Sequence, residues 1–523
     1  MKLHQLSLVF RALPRGVQLG SFGFFAVTVV TTTVAAVPGW FALTVAATIG
    51  GFLAGVGYEF LYYRRFEYEL TTDTLDIGSG VLSRREREIP IRRIQNVDIS
   101  RGIVQRALSI AAVGIETAGG GGETEADLRY VSYEEAKRLQ RDIRRRKRGA
   151  SDEPTIADED ESEVQGELLF ELTPRNLVLL GLVAPDLRAF LPVLFFAVPT
   201  LGISIPDLLA ESGAFGVGPR GAALAVVSWV GTAAVTAARY YEFRLTRFGD
   251  ELRYERGLLS RYDGSIPIDK IQQIDVRENV LMRRLGYGSL AVETAGYTPG
   301  EGPSGGSEAA IPLAERGRVL DFARSIDGFA FDEPAFSRPP RRARRRYAVR
   351  YALVIALVTG VLYALDAGLA TVVGRPLGGN WGAVLEFWYV PLVALAVVPF
   401  AAHYKWCNRG YDVGAEHVLT RNGFWRRTIA VVPAYRVQTV IQTATPFQRW
   451  RSLASVAIDT AGSLSVTDRG ARAVDFDASE ATTLRETVRR RLGESLTLRR
   501  DVSTTNDPAD NVPSRTSGDE DHA

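Results

Sequence analysis

Long apolar stretches with few or no charged residues alternate along the chain with segments in which apolar and polar residues follow one another singly. A helix needs about 20 apolar residues to cross a bilayer, and the long stretches are close to that length. They come in pairs. We therefore predict six transmembrane helices in three hairpins, at residues 17–37, 40–58, 189–206, 221–238, 347–374 and 387–404.

A different periodicity follows each pair of apolar stretches. In residues 66–120, apolar residues such as Tyr68, Leu75 and Ile77 alternate with polar ones in short runs that glycines interrupt. This pattern is typical of short antiparallel strands. Residues 132–147 then carry apolar side chains at helical spacing. The sequence thus predicts a β-module closed by a C-terminal helix.

The three modules are repeats of one sequence. In each repeat a glycine is followed ten positions later by a proline, and that proline is followed by glutamine, arginine and threonine at offsets of 5, 16 and 27 positions. These fixed points are Gly80, Pro90, Gln95, Arg106 and Thr117; Gly257, Pro267, Gln272, Arg283 and Thr294; and Gly423, Pro433, Gln438, Arg449 and Thr460. Spacing kept without any insertion indicates an internal triplication.

Most of these repeated residues are expected to define the fold. A glycine between two strands supplies a positive φ in the turn, and a proline suits a strand edge or start. The threonine precedes a small turn at the end of a strand, and the glutamine is expected to make a strand-edge hydrogen bond. One acidic position also recurs, as Glu116, Glu293 and Asp459. No second acid or base recurs with it, so a structural hydrogen bond or ion pair is favoured over catalysis.

The repeated motifs are Gly-Val/Leu-Leu-Ser-Arg, Ile-Pro-Ile, Ile-Gln and Glu-Thr-Ala-Gly. With them the sequence resembles bacterial pleckstrin-homology (PH) domain membrane proteins of the YdbS/YdbT type. The resemblance implies a transmembrane hairpin before each PH-like β-sandwich or barrel, and a link to envelope maintenance. The third repeat departs from the pattern at Arg436-Val437-Gln438, and Gly414 interrupts the strand expected at 411–419.

This organisation divides the chain into nine segments. They are transmembrane hairpin 1 (1–65), PH-like module 1 (66–150), an acidic linker (151–166), an amphipathic segment with hairpin 2 (167–241), module 2 (242–330), a basic linker (331–346), hairpin 3 (347–409), module 3 (410–494) and an acidic tail expected to be disordered (495–523).

Arginines and tyrosines mark one end of each hairpin. Tyr62, Tyr63, Arg64 and Arg65 close the first hairpin, and five arginines within 341–346 precede the third. Because cytoplasmic flanks of membrane helices carry an excess of basic residues, we predict a multi-pass protein of the cell membrane with its modules and both termini in the cytoplasm.

Composition excludes several classes of function. The formal net charge of the 523 residues is only +2, which gives no basis for nucleic acid as a partner. The single cysteine, Cys407, cannot form an intramolecular disulfide, and the four histidines show no ligand spacing. No phosphate-binding loop, dinucleotide fingerprint or hydrolase motif is present. We predict a protein that is not an enzyme and that has no catalytic residues, metal or cofactor.

Arginines are the candidate contacts with a ligand. Those singled out are Arg84, Arg85, Arg92 and Arg93 in module 1 and the repeated Arg106, Arg283 and Arg449. Near an anionic membrane each arginine contributes roughly 1 kcal/mol, so these residues could bind lipid head groups or a partner. Positive-inside topology and ion pairing with the abundant acids are the competing explanation. For the repeated arginine, a buried ion pair and a ligand contact are equally favoured.

The combined pattern predicts a non-enzymatic membrane scaffold or binding protein. Its expected partners are membrane lipids, with anionic head groups as the ligand, and another membrane protein of the same family. One alternative is a transporter or channel subunit built from the three hairpins, although few ionisable residues lie within the spans. A third possibility is a module that binds peptides by strand addition at an open sheet edge.

Overall fold

The computed structural model describes residues 7–33, 39–117, 126–149, 166–183, 219–294, 309–373, 388–461 and 470–505. The predicted span at 189–206 lies outside these residues, as do most of the acidic linker and the tail from residue 506. The described residues form two compact units. The first contains those up to Ile271 together with Leu281–Val319, and the second contains Gln272–Val280 and those from Leu320 onward.

Two antiparallel apolar helices open the first unit, α1 (Ser7–Thr33) and α2 (Trp40–Arg65). Their backbones are in contact where glycines face the neighbouring helix. A Cβ atom added at Gly51 would lie 2.4 Å from the carbonyl oxygen of Leu19, and Gly55 is equally crowded by the α1 backbone. These two glycines, which are four residues apart, therefore allow the two helices to approach closely.

Three helices among the described residues are long and apolar enough to cross a membrane. They are Trp40–Arg65, Arg341–Leu365 and Val390–Cys407. The last begins as a 3-10 helix at Val390–Val397 and continues as an α-helix from Val398. The described part of the chain thus supports an integral membrane protein.

Module 1 consists of two antiparallel sheets and a closing helix. Its elements are β1 (Glu67–Leu70), β2 (Thr74–Ser79), β3 (Arg85–Pro90), β4 (Ile94–Arg101), the short helix α3 (Ile103–Ala107), β5 (Ile110–Thr117), β6 (Ala126–Ser132) and α4 (Tyr133–Gly149). The first sheet has the order β1-β2-β3, and in the second β5 lies between β4 and β6.

One apolar core joins both sheets of module 1 to α4. Leu75 and Ile89 of the first sheet, Val113 of the second and Ile143 of α4 are almost completely buried in it. Burial of each such side chain stabilises the fold by roughly 1.5–3 kcal/mol. The closing helix is therefore an integral part of the module, as its apolar face predicts.

The segment between modules 1 and 2 contains a strand that the sequence pattern did not indicate. Residues 167–188 were expected to be amphipathic, but the structure has β7 (Glu167–Glu171) followed by α5 (Pro174–Val183). Strand β7 pairs with the first strand of module 2. Helix α5 packs against α6 (Pro219–Arg239), which covers the predicted span at 221–238.

Modules 2 and 3 repeat the element order of module 1. Module 2 contains β8 (Arg244–Phe248), β9 (Glu251–Arg256), β10 (Arg261–Pro267), β11 (Ile271–Asn279), α7 (Val280–Leu285), β12 (Tyr287–Thr294), β13 (Ala309–Glu315) and α8 (Arg316–Ser325).

Helices α9 (Arg341–Val373) and α10 (Val398–Cys407) then precede module 3. Module 3 contains β14 (Gly410–Val413), β15 (His417–Asn422), β16 (Arg426–Pro433), β17 (Val437–Thr443), α11 (Pro446–Arg449), β18 (Leu453–Thr460), β19 (Ala471–Asp477) and α12 (Ala478–Thr505).

Two details of module 3 differ from expectation. Gly414 does not interrupt a strand, because it lies in the turn between β14 and β15, where Gly414 N donates to the carbonyl of His417. Helix α12 continues through residues 495–505, which were expected to be disordered. An ion pair between Arg491 Nη1 and Glu494 Oε2, 3.1 Å apart, supports the helix at the start of this extension.

Neighbouring modules are joined by strand pairing. In the first unit β4 pairs antiparallel with β10, so that the order β6-β5-β4-β10-β9-β8-β7 forms a single sheet. In the second unit β11 pairs antiparallel with β16, and this sheet continues through β15 to β14. The fourth strand of one module therefore extends the first sheet of the next.

The repeated glycine begins the turn between the second and third strands of every module. The φ angles of Gly80, Gly257 and Gly423 are 112°, 110° and 98°. A Cβ atom at each would lie 1.9 Å from a carbonyl oxygen three residues further on. The turn therefore has room for glycine alone.

We expect Gly257→Ala to lower the free energy of unfolding by about 1–3 kcal/mol, because alanine would be strained at this φ and would collide with the backbone. Thermal unfolding of the purified protein in detergent measures the change. Gly317→Ala is the control, since Gly317 is helical and an added Cβ there meets no atom within 4 Å. An equal loss of stability in both variants would contradict this role for the turn.

Candidate functional site

In each module the turn that follows the repeated glycine contacts the end of the apolar helix preceding that module. Arg65 Nη1, at the end of α2, donates to the Val81 carbonyl at 2.6 Å. Leu258 N donates to the Ala238 carbonyl near the end of α6 at 2.8 Å. In module 3 the rings of Tyr404 and Phe424 stack with their centroids 5.2 Å apart.

Large apolar side chains project from these turns into the surroundings. Leu82 is 94% exposed, Leu259 50% and Trp425 75%. All three lie two positions after the repeated glycine. The recurrence of an exposed apolar side chain at one position argues against chance, since single exposed apolar residues are otherwise ordinary.

The short helix of each module is also rich in exposed apolar residues. These are Ile103 and Val104 in α3, Leu281 and Leu285 in α7, and Phe447 in α11, with Trp450 directly after it. In module 1 the short helix follows β4, and its Arg106 contacts the turn of module 2. We call the turn after the repeated glycine the helix-end surface of a module, defined in module 1 by residues 81–85.

The structure separates the candidate arginines of module 1 into two groups. Arg84 in the turn and Arg85 at the start of β3 are exposed, and Arg84 Nε lies 3.0 Å from Glu86 Oε1. Arg92 and Arg93 are exposed in the 3-10 turn Ile91–Arg93, at the other end of β3. Six strand residues span about 20 Å, so the two pairs do not form one surface.

The repeated arginine contacts the neighbouring module. Arg106 Nη2 donates to the carbonyl of Leu258, in the turn of module 2. This hydrogen bond between modules is a role that the sequence pattern did not indicate, beside the buried ion pair and the ligand contact that the repeat suggests. Arg283 is half-buried and has a partner, and Arg449 is exposed. Among the described residues no side-chain hydrogen bond or ion pair of Arg449 is present.

The other repeated residues differ in environment from module to module. Gln272 is buried whereas Gln438 is exposed. Thr117 and Thr460 are buried at the ends of their strands, and Thr294 is half-buried. The prolines lie at the last position of the third strand in each module. The side chain of Gln95 lies outside the described set.

A buried carboxylate, which the sequence pattern did not indicate, ties module 3 to its helices. The Asp475 side chain is fully buried and forms ion pairs with Arg346 of α9 and with Arg409, whose Nη1 lies 2.9 Å from Asp475 Oδ2. Gln448 Nε2 donates to Asp475 Oδ1 at 2.7 Å. Asp475 has a φ of 66° at a bulge in β19, and this bulge turns its carboxylate inward.

Module 1 uses the same bulge position for a different contact. Tyr130, three residues before α4 as Asp475 is three residues before α12, has a φ of 68°. Its ring stacks on Phe10 of α1 with centroids 5.7 Å apart. In both modules a residue at the bulge of the last strand therefore joins the module to the first helix of its pair.

Two tyrosines in the modules, one buried and one half-buried, have shifted pKa values. Burial, reinforced by Glu135, raises the pKa of the Tyr68 phenol to about 12. Burial also raises the pKa of the Tyr411 phenol, whose hydroxyl donates to Glu480 Oε1 at 2.9 Å. Both tyrosines therefore stay protonated at neutral pH and act as structural groups.

The junction of modules 1 and 2 contains a half-buried acid, Asp263. Burial raises the pKa of the Asp263 carboxyl above its usual value, and Glu255 adds to the shift against the opposing charges of Lys137, Arg144 and Arg253. Asp263 lies in β10 opposite Ile99 of β4. The charged form of Asp263 is therefore unfavourable in the paired sheet.

Comparison with known proteins identifies the class. The bacterial PH domain family matches residues 19–147, 193–330 and 353–492, which together make up most of the chain. The chain belongs to this family. It is also similar to the UPF0699 transmembrane protein YdbT of Bacillus subtilis (strain 168), with 23% identity over 411 residues that cover 75% of this chain and 79% of the relative. No solved structure matches the chain.

Removing the buried carboxylate in Asp475→Ala is expected to lower the free energy of unfolding by about 3–5 kcal/mol, because Arg346 and Arg409 would keep their charges without a partner. The unfolding temperature of the purified protein measures the effect. Glu494→Ala removes an exposed carboxylate from an ion pair and should cost less than about 1 kcal/mol. Similar losses in the two variants would show that the network does not hold module 3.

Asp263→Asn tests the acid at the junction. An acid whose folded-state pKa is raised contributes stability that is present below its usual pKa of 3.8 and is lost as the pH rises through the folded-state value. The variant should therefore unfold at a higher temperature than the wild type at pH 7, and the difference should shrink toward pH 4. The exposed Asp269→Asn is the control. A lower unfolding temperature for Asp263→Asn at pH 7 contradicts the assignment.

Proposed function

We propose that the protein is a multi-pass scaffold of the cell membrane that binds anionic lipid head groups through its helix-end surfaces. Six spans in three hairpins anchor the modules, which face the cytoplasm together with both termini. The segment boundaries are those given for hairpins 1–3 and modules 1–3. The protein catalyses no reaction in this account, and it organises lipids or partners in maintenance of the envelope.

The observation that carries this proposal is the position of the turns. Each contacts the end of an apolar helix and exposes a large apolar side chain there, as Leu82 does next to Arg84 and Arg85. An apolar side chain flanked by arginines suits the boundary between acyl chains and head groups, where it can enter the apolar layer while guanidinium groups bind phosphates. The same surface would be unfavourable in water.

The basic helix ends support the cytoplasmic orientation. Arg64 and Arg65 end α2, and Arg239 ends α6. The arginines of 341–346 open α9, where Arg346 also contributes to the Asp475 network. The same end of each helix pair therefore carries the positive charge and the module, as the positive-inside rule requires of a cytoplasmic face.

The first helix pair supports an anchoring role over a transport path. Glu59 of α2 is buried, and its Oε2 lies 3.0 Å from Arg11 Nε. The corresponding positions in the repeats are Thr236 and Ala402. A coupled transport path would need a polar group shared between hairpins. The Glu59–Arg11 pair is better explained as a local contact between α1 and α2.

Charge reversal at the turn tests lipid binding. The full-length protein is placed in bilayers that contain a photo-crosslinkable phosphatidylglycerol, and labelled peptides are mapped. Arg84→Glu/Arg85→Glu is expected to reduce labelling of the module 1 turn at least about tenfold, because each arginine near an anionic surface contributes roughly 1 kcal/mol. High salt should reduce wild-type labelling as well.

The chain supplies a matched control for this experiment. Arg92→Glu/Arg93→Glu makes the same change of charge at the opposite end of β3 and should leave labelling of the turn unchanged. A phosphatidylcholine analogue should label the wild-type turn more weakly than the anionic lipid. Equal labelling by both lipids, or equal losses in the two double variants, would contradict head-group recognition.

A further inference from the structure

The two junctions between successive modules use the same register. At the first, Ser100 of β4 lies opposite Tyr262 of β10, and at the second, Arg277 of β11 lies opposite Thr428 of β16. Ser100 and Arg277 both lie 20 positions after the repeated glycine of their module, and Tyr262 and Thr428 both lie 5 positions after theirs. The repeat thus encodes one antiparallel pairing, between its fourth strand and the third strand of the next module.

The third strand of module 1 and the fourth strand of module 3 lie at the two ends of the series of modules. Strand β3 is the third strand of module 1 and ends the sheet β1-β2-β3, and β17 is the fourth strand of module 3 and begins the sheet β17-β18-β19. Within the described residues no further strand pairs with either sheet at these edges. Strand β17 is therefore the fourth-strand half of such a junction, and β3 is the third-strand half.

The edge of β17 lacks the charged residues and prolines that usually protect a strand edge against pairing. The strand Val437–Thr443 contains no charged residue and no proline, and its Gln438 and Thr439 are exposed. Natural proteins guard open strand edges with charges, prolines or bulges that twist the edge away. Its one register irregularity lies between Val437 and Thr439, which leaves the rest of the strand regular. Such an edge is suited to accept another strand.

The repeated arginine supplies a second, independent element of the junction. Arg106 of module 1 donates to the carbonyl of Leu258, one position after the repeated glycine of module 2. Arg449 of module 3 is the corresponding arginine, and it is exposed. The carbonyl that corresponds to that of Leu258 in module 1 belongs to Val81. This carbonyl already accepts from Arg65, and its oxygen can accept a second hydrogen bond.

We propose that molecules of this chain associate head to tail, with β3 of one molecule pairing antiparallel with β17 of another. In the register of the internal junctions, Arg85 lies opposite Thr443 and Glu88 opposite Val440, so that Arg85–Glu88 of β3 pair at repeat positions that are also paired at the second junction. Arg449 of one molecule donates to the Val81 carbonyl of the other. The contact joins two different surfaces, so further molecules add in the same way until a ring closes.

Cysteine crosslinking in membranes tests both the partner and the register. Two differently tagged full-length chains lack Cys407, and one carries Glu88→Cys while the other carries Val440→Cys. Directly opposed residues in antiparallel strands have Cα atoms about 4.5–5.5 Å apart, which a disulfide can bridge. Oxidation should produce a crosslinked species that contains both tags.

The control pair is Glu88→Cys with Gln438→Cys, which is two residues out of register and should crosslink severalfold less. Association through the proposed junction is contradicted if the two pairs give equal yields. It is also contradicted if two Glu88→Cys chains or two Val440→Cys chains crosslink in preference to the mixed pair. Failure of lipid labelling at the turn would leave these results unaffected, because the junction does not require lipid.

Arg449→Ala provides a second measurement that does not disturb the module. Since Arg449 is exposed, its removal should leave the unfolding temperature unchanged while weakening association about tenfold, the usual effect of losing one hydrogen bond from a charged donor. Arg489→Ala, an exposed arginine on α12, is the control and should leave association unchanged. Unchanged association in both variants contradicts the contact with Val81.

Discussion

The short covalent link between each apolar helix and its module is the constraint on which the structure depends. Helix α2 ends at Arg65 and β1 begins at Glu67, and α10 ends at Cys407 with β14 beginning at Gly410. Because this link is so short, the first strand of the module must lie beside the helix end. The turn between the second and third strands belongs to the same sheet and is held there with it. The exposed apolar side chains of the turns are therefore held beside the ends of the apolar helices by chain connectivity as well as by packing.

Strand pairing then joins the tethered modules into a series. The β4–β10 and β11–β16 pairings use the same positions of the repeat, and Arg106 adds a hydrogen bond to the next turn. Each module covers the open edge of its neighbour, which is how the chain satisfies backbone groups that would otherwise be exposed. Among the described residues, the two end strands, β3 and β17, are the edges of this series that no further strand pairs with.

The sequence predicted the features that depend on local chemistry. Alternation predicted the strands and helical spacing the closing helix, and Gly80, Gly257 and Gly423 have the positive φ expected of a glycine turn. Contacts between residues that are distant in the sequence could not be predicted from such local patterns. The partner of Arg106 depends on the register between modules, and the burial of Asp475 depends on a bulge, neither of which alternation encodes. The separation of Arg92 and Arg93 from Arg84 follows from strand length once β3 is known.

The central claim is that the turns of all three modules lie in the head-group layer. Spin labels on cysteines replacing Leu82, Leu259 and Trp425, in full-length protein without Cys407, report their depth through collisions with oxygen and with a water-soluble relaxation agent. We predict that all three labels lie at the depth of the head groups, whereas a label at the exposed Glu134 of α4 is in water. Free access of the water-soluble agent to all three turn positions would contradict the account.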